Sequence, residues 1–246
     1  MNKSIARFSA SLLAGVLSFA GGACGGQPYD INKDINFVHH AYQDLLGVDI
    51  SYDFSYALAG LMETSHISRT GIASMITGTS QYRKRMVDNL YQSYLNRPAT
   101  AFDENYWVSG TGASQSLRFL RAAILGTDEF THTYFRDYYR TPAEDFAVHL
   151  MLQATTYDYD SGLQAIIVGN LNGAPANNYT HLKAASVALS SASGMQNFCQ
   201  AEQYSLKLTD TDGSLQKSCY LTLLYGGTEQ DAVNLFIASN EYYTQQ

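Results

Sequence analysis

The sequence predicts an all-α protein of stacked three-helix repeat units, with a less regular C-terminal third. Three observations carry that prediction. Phe37, Val38, Ala41, Tyr42, Leu45 and Leu46 lie at helical spacing, and Met86, Val87, Leu90, Tyr91, Tyr94 and Leu95 repeat them position for position. Phe130, Tyr134, Phe135, Tyr138 and Tyr139 make a weaker third copy. The joints between units repeat as well: Ile76-Thr77-Gly78-Thr79-Ser80-Gln81-Tyr82 parallels Ile124-Leu125-Gly126-Thr127-Asp128-Glu129-Phe130. A period of roughly 45–50 residues describes helix clusters that cannot bury their apolar faces alone and must stack on one another.

The elements follow in order. Residues 1–23 read as a signal peptide, with Lys3 and Arg7 before an apolar run from Ser11 to Ala20 and small residues Gly21, Gly22 and Ala23. Residues 24–33 read as a Gly/Pro/Asn tether. A helical repeat domain is expected over 34–169. Its first helix starts near Asp34 and stops at Gly47. A second helix spans about 52–62, and a third runs from an N-cap at Ser68 to Thr77. In the second unit a long helix covers 79–96, ended by Pro98. A short helix carries Tyr106 and Trp107, and a third runs from Ser116 to Leu125. Ile167-Val168-Gly169 reads as a further, decayed joint. Residues 170–180, rich in Asn, Gly and Pro, form the internal breaker. The C-terminal helical region, 181–246, holds a shortened unit: Ser214 as N-cap, Leu215, Cys219, Tyr220, Leu223 and Leu224 in the first-helix pattern, a stop at Gly226-Gly227, and a capping box at Thr228 and Asp231.

The run of small residues before Cys24 resembles a bacterial lipoprotein signal. That resemblance implies lipidation of Cys24, and Gly25 after it permits onward export to an outer membrane. Three cysteines are present. If Cys24 carries lipid or leaves with the leader, Cys199 and Cys219 remain as one pair for an oxidising compartment; the alternative is two buried thiols. Elsewhere no apolar run approaches the ~18–20 residues needed to cross a bilayer. The formal charge of −7 becomes more negative once Lys3 and Arg7 leave. It argues against nucleic acid or an anionic bilayer as partner, since both reward clustered Lys and Arg. The one basic cluster, Arg83-Lys84-Arg85, reads as a solvated helix face.

The repeat motifs resemble a family of exported bacterial proteins classed as a domain of unknown function, number 4214 in that series. The residues that carry the likeness are Tyr42-Gln43-Asp44-Leu45-Leu46-Gly47, Tyr91-Gln92-Ser93-Tyr94-Leu95-Asn96-Arg97, Tyr106-Trp107, Thr127-Asp128-Glu129-Phe130 and Ser239-Asn240-Glu241-Tyr242. Val48 stands where the family pattern has Arg. The resemblance implies an exported all-α module, remotely like phycobilisome linker domains, and transfers no catalytic residue.

Motifs that suggest chemistry have simpler accounts. Ser214-Leu215-Gln216-Lys217 fits Ser-x-x-Lys but lacks its partner motifs. Asp210-Thr211-Asp212-Gly213 fails the calcium-loop register, because Leu208 and Cys219 would stand where acids are required. The six histidines show no metal-ligand spacing. Gly110-Thr111-Gly112 reads as an interhelix turn. Asp103/Glu104 and Glu144/Asp145 fall at helix starts, where acids suit the dipole. No catalytic residue, metal or cofactor is therefore expected. Of the nineteen tyrosines, Tyr139, Tyr157, Tyr159, Tyr242 and Tyr243 form the candidate binding surface, since a ring with a polar tip suits an interface.

The expected function is a non-catalytic binding or scaffolding module, exported and lipid-anchored. Its partner would be a protein or polysaccharide of the cell envelope, and its membrane contact would be through the lipid alone. The alternatives are an envelope enzyme acting on glycan or peptidoglycan, or a glycan-binding module. An enzyme would show a pocket with two or more ionisable groups of strongly shifted pKa. A binding module would show an aromatic surface patch without them.

Overall fold

The computed structural model describes residues 30–134, 141–155, 160–173 and 180–245. Every regular element in them is helical. The N-terminal half comprises α1 (Ile31–Leu46), α2 (Tyr52–Thr64), α3 (Arg69–Thr77), α4 (Ser80–Leu95), α5 (Ala101–Glu104), a π turn (Asn105–Ser109), α6 (Leu117–Leu125) and α7 (Asp128–Tyr134). There follow α8 (Pro142–Ala154), α9 (Ser161–Asn172), α10 (His181–Ser190), α11 (Ala192–Ser205), α12 (Ser214–Leu224), α13 (Glu229–Ile237) and α14 (Asn240–Thr244). Cys24, the leader and residues 174–179 of the breaker lie outside the described residues. No helix among the described residues is long and apolar enough to cross a membrane.

Local side chains set most helix starts. Asp30, Ser51, Ser68, Thr79, Thr100, Ser116, Thr141, Thr180, Thr228 and Ser239 each accept a backbone N–H of the first turn, a contribution of about 1 kcal/mol apiece. Asp103, Glu144 and Asp231 complete capping boxes. Gly47 ends α1 at φ +68°, the left-handed region that glycine enters without strain.

Four expectations need correction. α1 begins at Ile31, capped by Asp30, rather than near Asp34, whose side chain is buried and accepts a hydrogen bond from the Tyr243 hydroxyl at 3.0 Å. Ser214 is the first residue of α12 and not its cap; Gly213 holds that position, and Asp212 and Asp210 accept the N–H groups of Ser214 and Gln216. α9 runs straight through Ile167-Val168-Gly169, so no joint lies there; a Cβ at Gly169 would meet nothing, and an open helix surface tolerates glycine at a cost of about 1 kcal/mol. In the basic cluster Lys84 is solvated, but Arg83 turns inward. Arg83 donates to the carbonyls of Trp107 and Gly112, both at 2.7 Å, Lys84 pairs with Asp88 and Glu104, and Arg85 donates to the last-turn carbonyl of Gln43 in α1.

The joints repeat in three dimensions. In each, a threonine hydroxyl donates to the carbonyl three residues back and accepts the N–H three residues on. Thr79 does so with Ile76 (2.7 Å) and Tyr82 (3.1 Å), and Thr127 with Ile124 and Phe130 at the same distances. Ser239 accepts from Tyr242 in the same way, and Ser191 links Ala188 to Gly194. The aromatic residue ending each Thr or Ser joint, Tyr82, Phe130 or Tyr242, is a core side chain.

The apolar faces meet in one core that runs from Phe37 to Tyr242. In α4 the predicted face is buried at Val87, Leu90, Tyr91, Tyr94 and Leu95. Tyr94 reaches α6, where its hydroxyl accepts from Arg121. Tyr91 turns instead to α5 and the π turn, donating to Asp103 at 2.9 Å and accepting from Trp107 at 3.2 Å. The chain then closes on itself: α13 packs on α3 and α14 on α1. Thr77 donates to Asn234 at 2.9 Å in a buried contact, and Tyr242 donates to Asp44 at 2.7 Å. Arg69 donates to Ser239 and Asn240 and covers the Tyr243 ring.

Candidate functional site

The α3–α4 joint forms one side of a pocket of about 280 Å³. Thr77, Gly78, Thr79 and Ser80 supply that side, and Tyr82 and Arg83 on the first turn of α4 extend it. Val108 and Ala113, flanking the 109–112 turn, face it with Leu117 of α6, and Gln230 of α13 completes the lining. The pocket therefore draws on both halves of the chain.

Arg83 fixes the facing wall, since its two carbonyl contacts hold the π turn and Gly112 in place. Gly112 is required there: a Cβ would lie 2.6 Å from the Trp107 ring and 2.9 Å from that of Tyr106. These rings stand at 4.8 Å in an edge-on pair, with Phe119 of α6 against Trp107 at 6.4 Å. Trp107 is buried, whereas Phe102, Tyr106 and Phe119 are exposed. Tyr106 and Phe119 thus present exposed rings on either side of Trp107, next in sequence to the pocket residue Val108.

Next to Tyr82 lies a buried ionic cluster. Arg121 donates to Glu229 at 2.6 Å and to Tyr94 at 3.0 Å, and stands over the ring of Phe198. Burial alone would lower the Arg121 guanidinium, but the Glu229 carboxylate and the Tyr94 oxygen hold it above its ordinary value. Glu202 of α11 keeps some residue exposure, yet its carboxyl end is enclosed. Burial raises it to about 7, with Arg121 opposing and Glu229 adding to the rise. Neither acid lines the pocket. Of the two ionisable groups that do, Tyr82 is held far above its ordinary value by burial, reinforced by Glu202 and Glu229, and Arg83 is lowered by burial. A phenol raised this way and a guanidinium both keep their protons at neutral pH. They donate hydrogen bonds there and do not act as general bases.

Of the tyrosines singled out by sequence, Tyr242 and Tyr243 do not line this pocket. Tyr139, Tyr157 and Tyr159 lie outside the described residues. Tyr242 is 0% exposed, which removes it from any surface: it is the joint aromatic of the last unit. Tyr243 is half-buried between Arg69 and Asp34. Among the described residues the exposed aromatics are Phe102, Tyr106 and Phe119, the stacked pair Tyr52 and Tyr56 on α2, and Tyr204 and Tyr225. The four-residue spacings of Tyr52/Tyr56 and Phe102/Tyr106 were the available signal. Cys199 and Cys219 are bonded, with Cα atoms 5.8 Å apart, joining α11 to α12. Among the described residues no group of three or more His, Cys, Asp or Glu side chains is placed to hold a metal. No protein-family model matches the chain, and neither a curated protein nor a solved structure matches it.

Proposed function

We propose that the protein is an exported, lipid-anchored binding or scaffolding module of the cell envelope, without catalytic activity. Its partner would be an envelope protein or polysaccharide. The observation that carries the binding reading is the pocket under the α3–α4 joint, whose ionisable wall groups are fixed donors beside an exposed aromatic surface. The sequence before Cys24 supports export and anchoring, as does the likeness of the repeat motifs to exported bacterial domains. The Cys199–Cys219 bond suits an oxidising compartment.

Cell fractionation tests the reading. The wild-type chain is expected in the membrane fraction and the Cys24→Ser chain in the soluble one, because acyl chains would supply the only bilayer contact. A wild-type protein that is soluble from the start would refute anchoring. Peptidoglycan or glycan hydrolysis abolished by Tyr82→Phe or Glu202→Gln would move the assignment to the enzyme alternative.

A further inference from the structure

We propose that the pocket beneath the α3–α4 joint is a subsite for one neutral sugar ring of a glycan; this rests on the reading of the chain as a binding module. Its lining is mixed: Val108, Ala113 and Leu117 are apolar, and the other side chains bring hydroxyl, amide and guanidinium groups. A sugar ring has the same mixture, with C–H faces and a hydroxyl rim. The volume of about 280 Å³ falls just below the range of ligand pockets, about 300–1,000 Å³. That is room for a single ring, not a chain.

The polar side chains are equipped for groups that both donate and accept. Tyr82 is 3% exposed and lines the pocket, and its hydroxyl has no hydrogen-bond partner among the described residues. The oxygen is not enclosed, so a ligand hydroxyl entering the pocket would take this hydrogen bond in place of water. Gln230 donates its amide to Thr77 at 3.2 Å, while its carbonyl oxygen accepts from no described residue. Ser80 adds an exposed hydroxyl. Sugar hydroxyls satisfy such a mixture, because each donates once and accepts twice. Charge points the same way. Arg83 is already committed to two backbone carbonyls, and Glu202 and Glu229 influence Tyr82 from the other side. Neither an anion nor a cation has a clear advantage. The exposed rings of Tyr106 and Phe119 pack on Trp107, whose carbonyl Arg83 holds, and would offer flat surfaces for the next sugar of a chain.

The test is calorimetric titration of the purified full chain with chitotetraose and maltotetraose as neutral probes, glucose 6-phosphate as anionic control and glucosamine as cationic control. At least one neutral tetrasaccharide is expected to bind. Tyr82→Phe, which removes only the hydroxyl, is expected to weaken that binding about three- to tenfold with an unchanged melting temperature. Ser80→Trp, at an exposed position in the lining, is expected to abolish it without touching the core. Binding of neither tetrasaccharide, binding of a charged control alone, or tetrasaccharide binding indifferent to both substitutions would each overturn the proposal. The broader reading fails separately: membrane attachment with no glycan binding sinks the sugar assignment alone, whereas a wild-type chain found soluble sinks the anchored module whatever the titration gives.

Discussion

At Glu202 the carboxyl end meets Arg121 from α6, Glu229 from α13 and Tyr82 from α4, with Ser205 on its own helix, and burial raises it from 4.5 to about 7. A carboxyl whose folded pKa exceeds its unfolded one binds its proton more tightly in the native state. Its contribution is complete below about pH 4.5 and is lost as pH rises through about 7. Glu202→Gln keeps the neutral form at all pH. It is expected to flatten the fall of stability across that window and to stabilise the protein at pH 8 by roughly 2 kcal/mol. Urea denaturation at pH 4.5, 6 and 8 reads this; wild-type and variant curves that stay parallel would refute it. In α4, Leu95 is buried, and Leu95→Ala is expected to cost about 2–5 kcal/mol through the cavity it leaves. An unchanged melting temperature would contradict the packing of the repeat face. The burial of Leu95 was legible because helical spacing alone marks that face. The burial of Tyr242 was missed, although Ser239-Asn240-Glu241-Tyr242 matches the joints that bury Tyr82 and Phe130. A C-terminal position and a polar tip pointed the other way. Arg83 was not legible: nothing near it in sequence reveals that its partners are the carbonyls of Trp107 and Gly112.

Among the elements, the joint is the most regular device in the fold, and two substitutions separate its parts. Thr127 holds the start of α7 through its hydroxyl. Thr127→Ala is expected to cost about 0.5–2 kcal/mol, with Thr127→Ser restoring most of it. Gly126 serves a different need. A Cβ there would stand 2.6 Å from Cα of Leu182 and 2.7 Å from its backbone nitrogen, so the end of α6 and the first turn of α10 would have to part. Gly126→Ala is therefore expected to cost at least the ~1–3 kcal/mol of an overpacked core; a melting temperature equal to wild type would refute the close approach. Helix boundaries were largely readable because caps are local, decided by one side chain and the next three residues. The π turn was not readable. It depends on Gly112 admitting two rings and on Arg83 holding the carbonyls, both tertiary facts. Ile167-Val168-Gly169 misled for the opposite reason: a glycine after two apolar residues looks like a stop, but on an open helix surface it stops nothing.

For the whole molecule, the decisive feature is the return of α13 and α14 onto α3 and α1. It rests on pairs such as Thr77–Asn234 and Asp44–Tyr242, each more than 150 residues apart in sequence, and short-range patterns carry no trace of them. The pocket was hidden for the same reason, since Gln230 reaches Thr77 only after this closure. The return also refines what the disulfide does. The Cys199–Cys219 bond ties α11 to α12 across a separation of 20 residues, a constraint of roughly 3 kcal/mol on the chain-entropy account. In the folded chain α13 and α14 have their own anchorage: the buried Thr77–Asn234 contact, Arg69 on Asn240 and the Tyr242–Asp44 bond. Among the described residues α12 packs chiefly on α11 and α13. Reduction is thus expected to expose 206–224 first, while α13, α14 and residues 31–125 keep their protection. Hydrogen exchange with and without reductant reads the difference peptide by peptide. Equal protection across α12 in both states would show that the bond contributes nothing there, and simultaneous loss in α12, α13 and α3 would show that the closure depends on the disulfide after all.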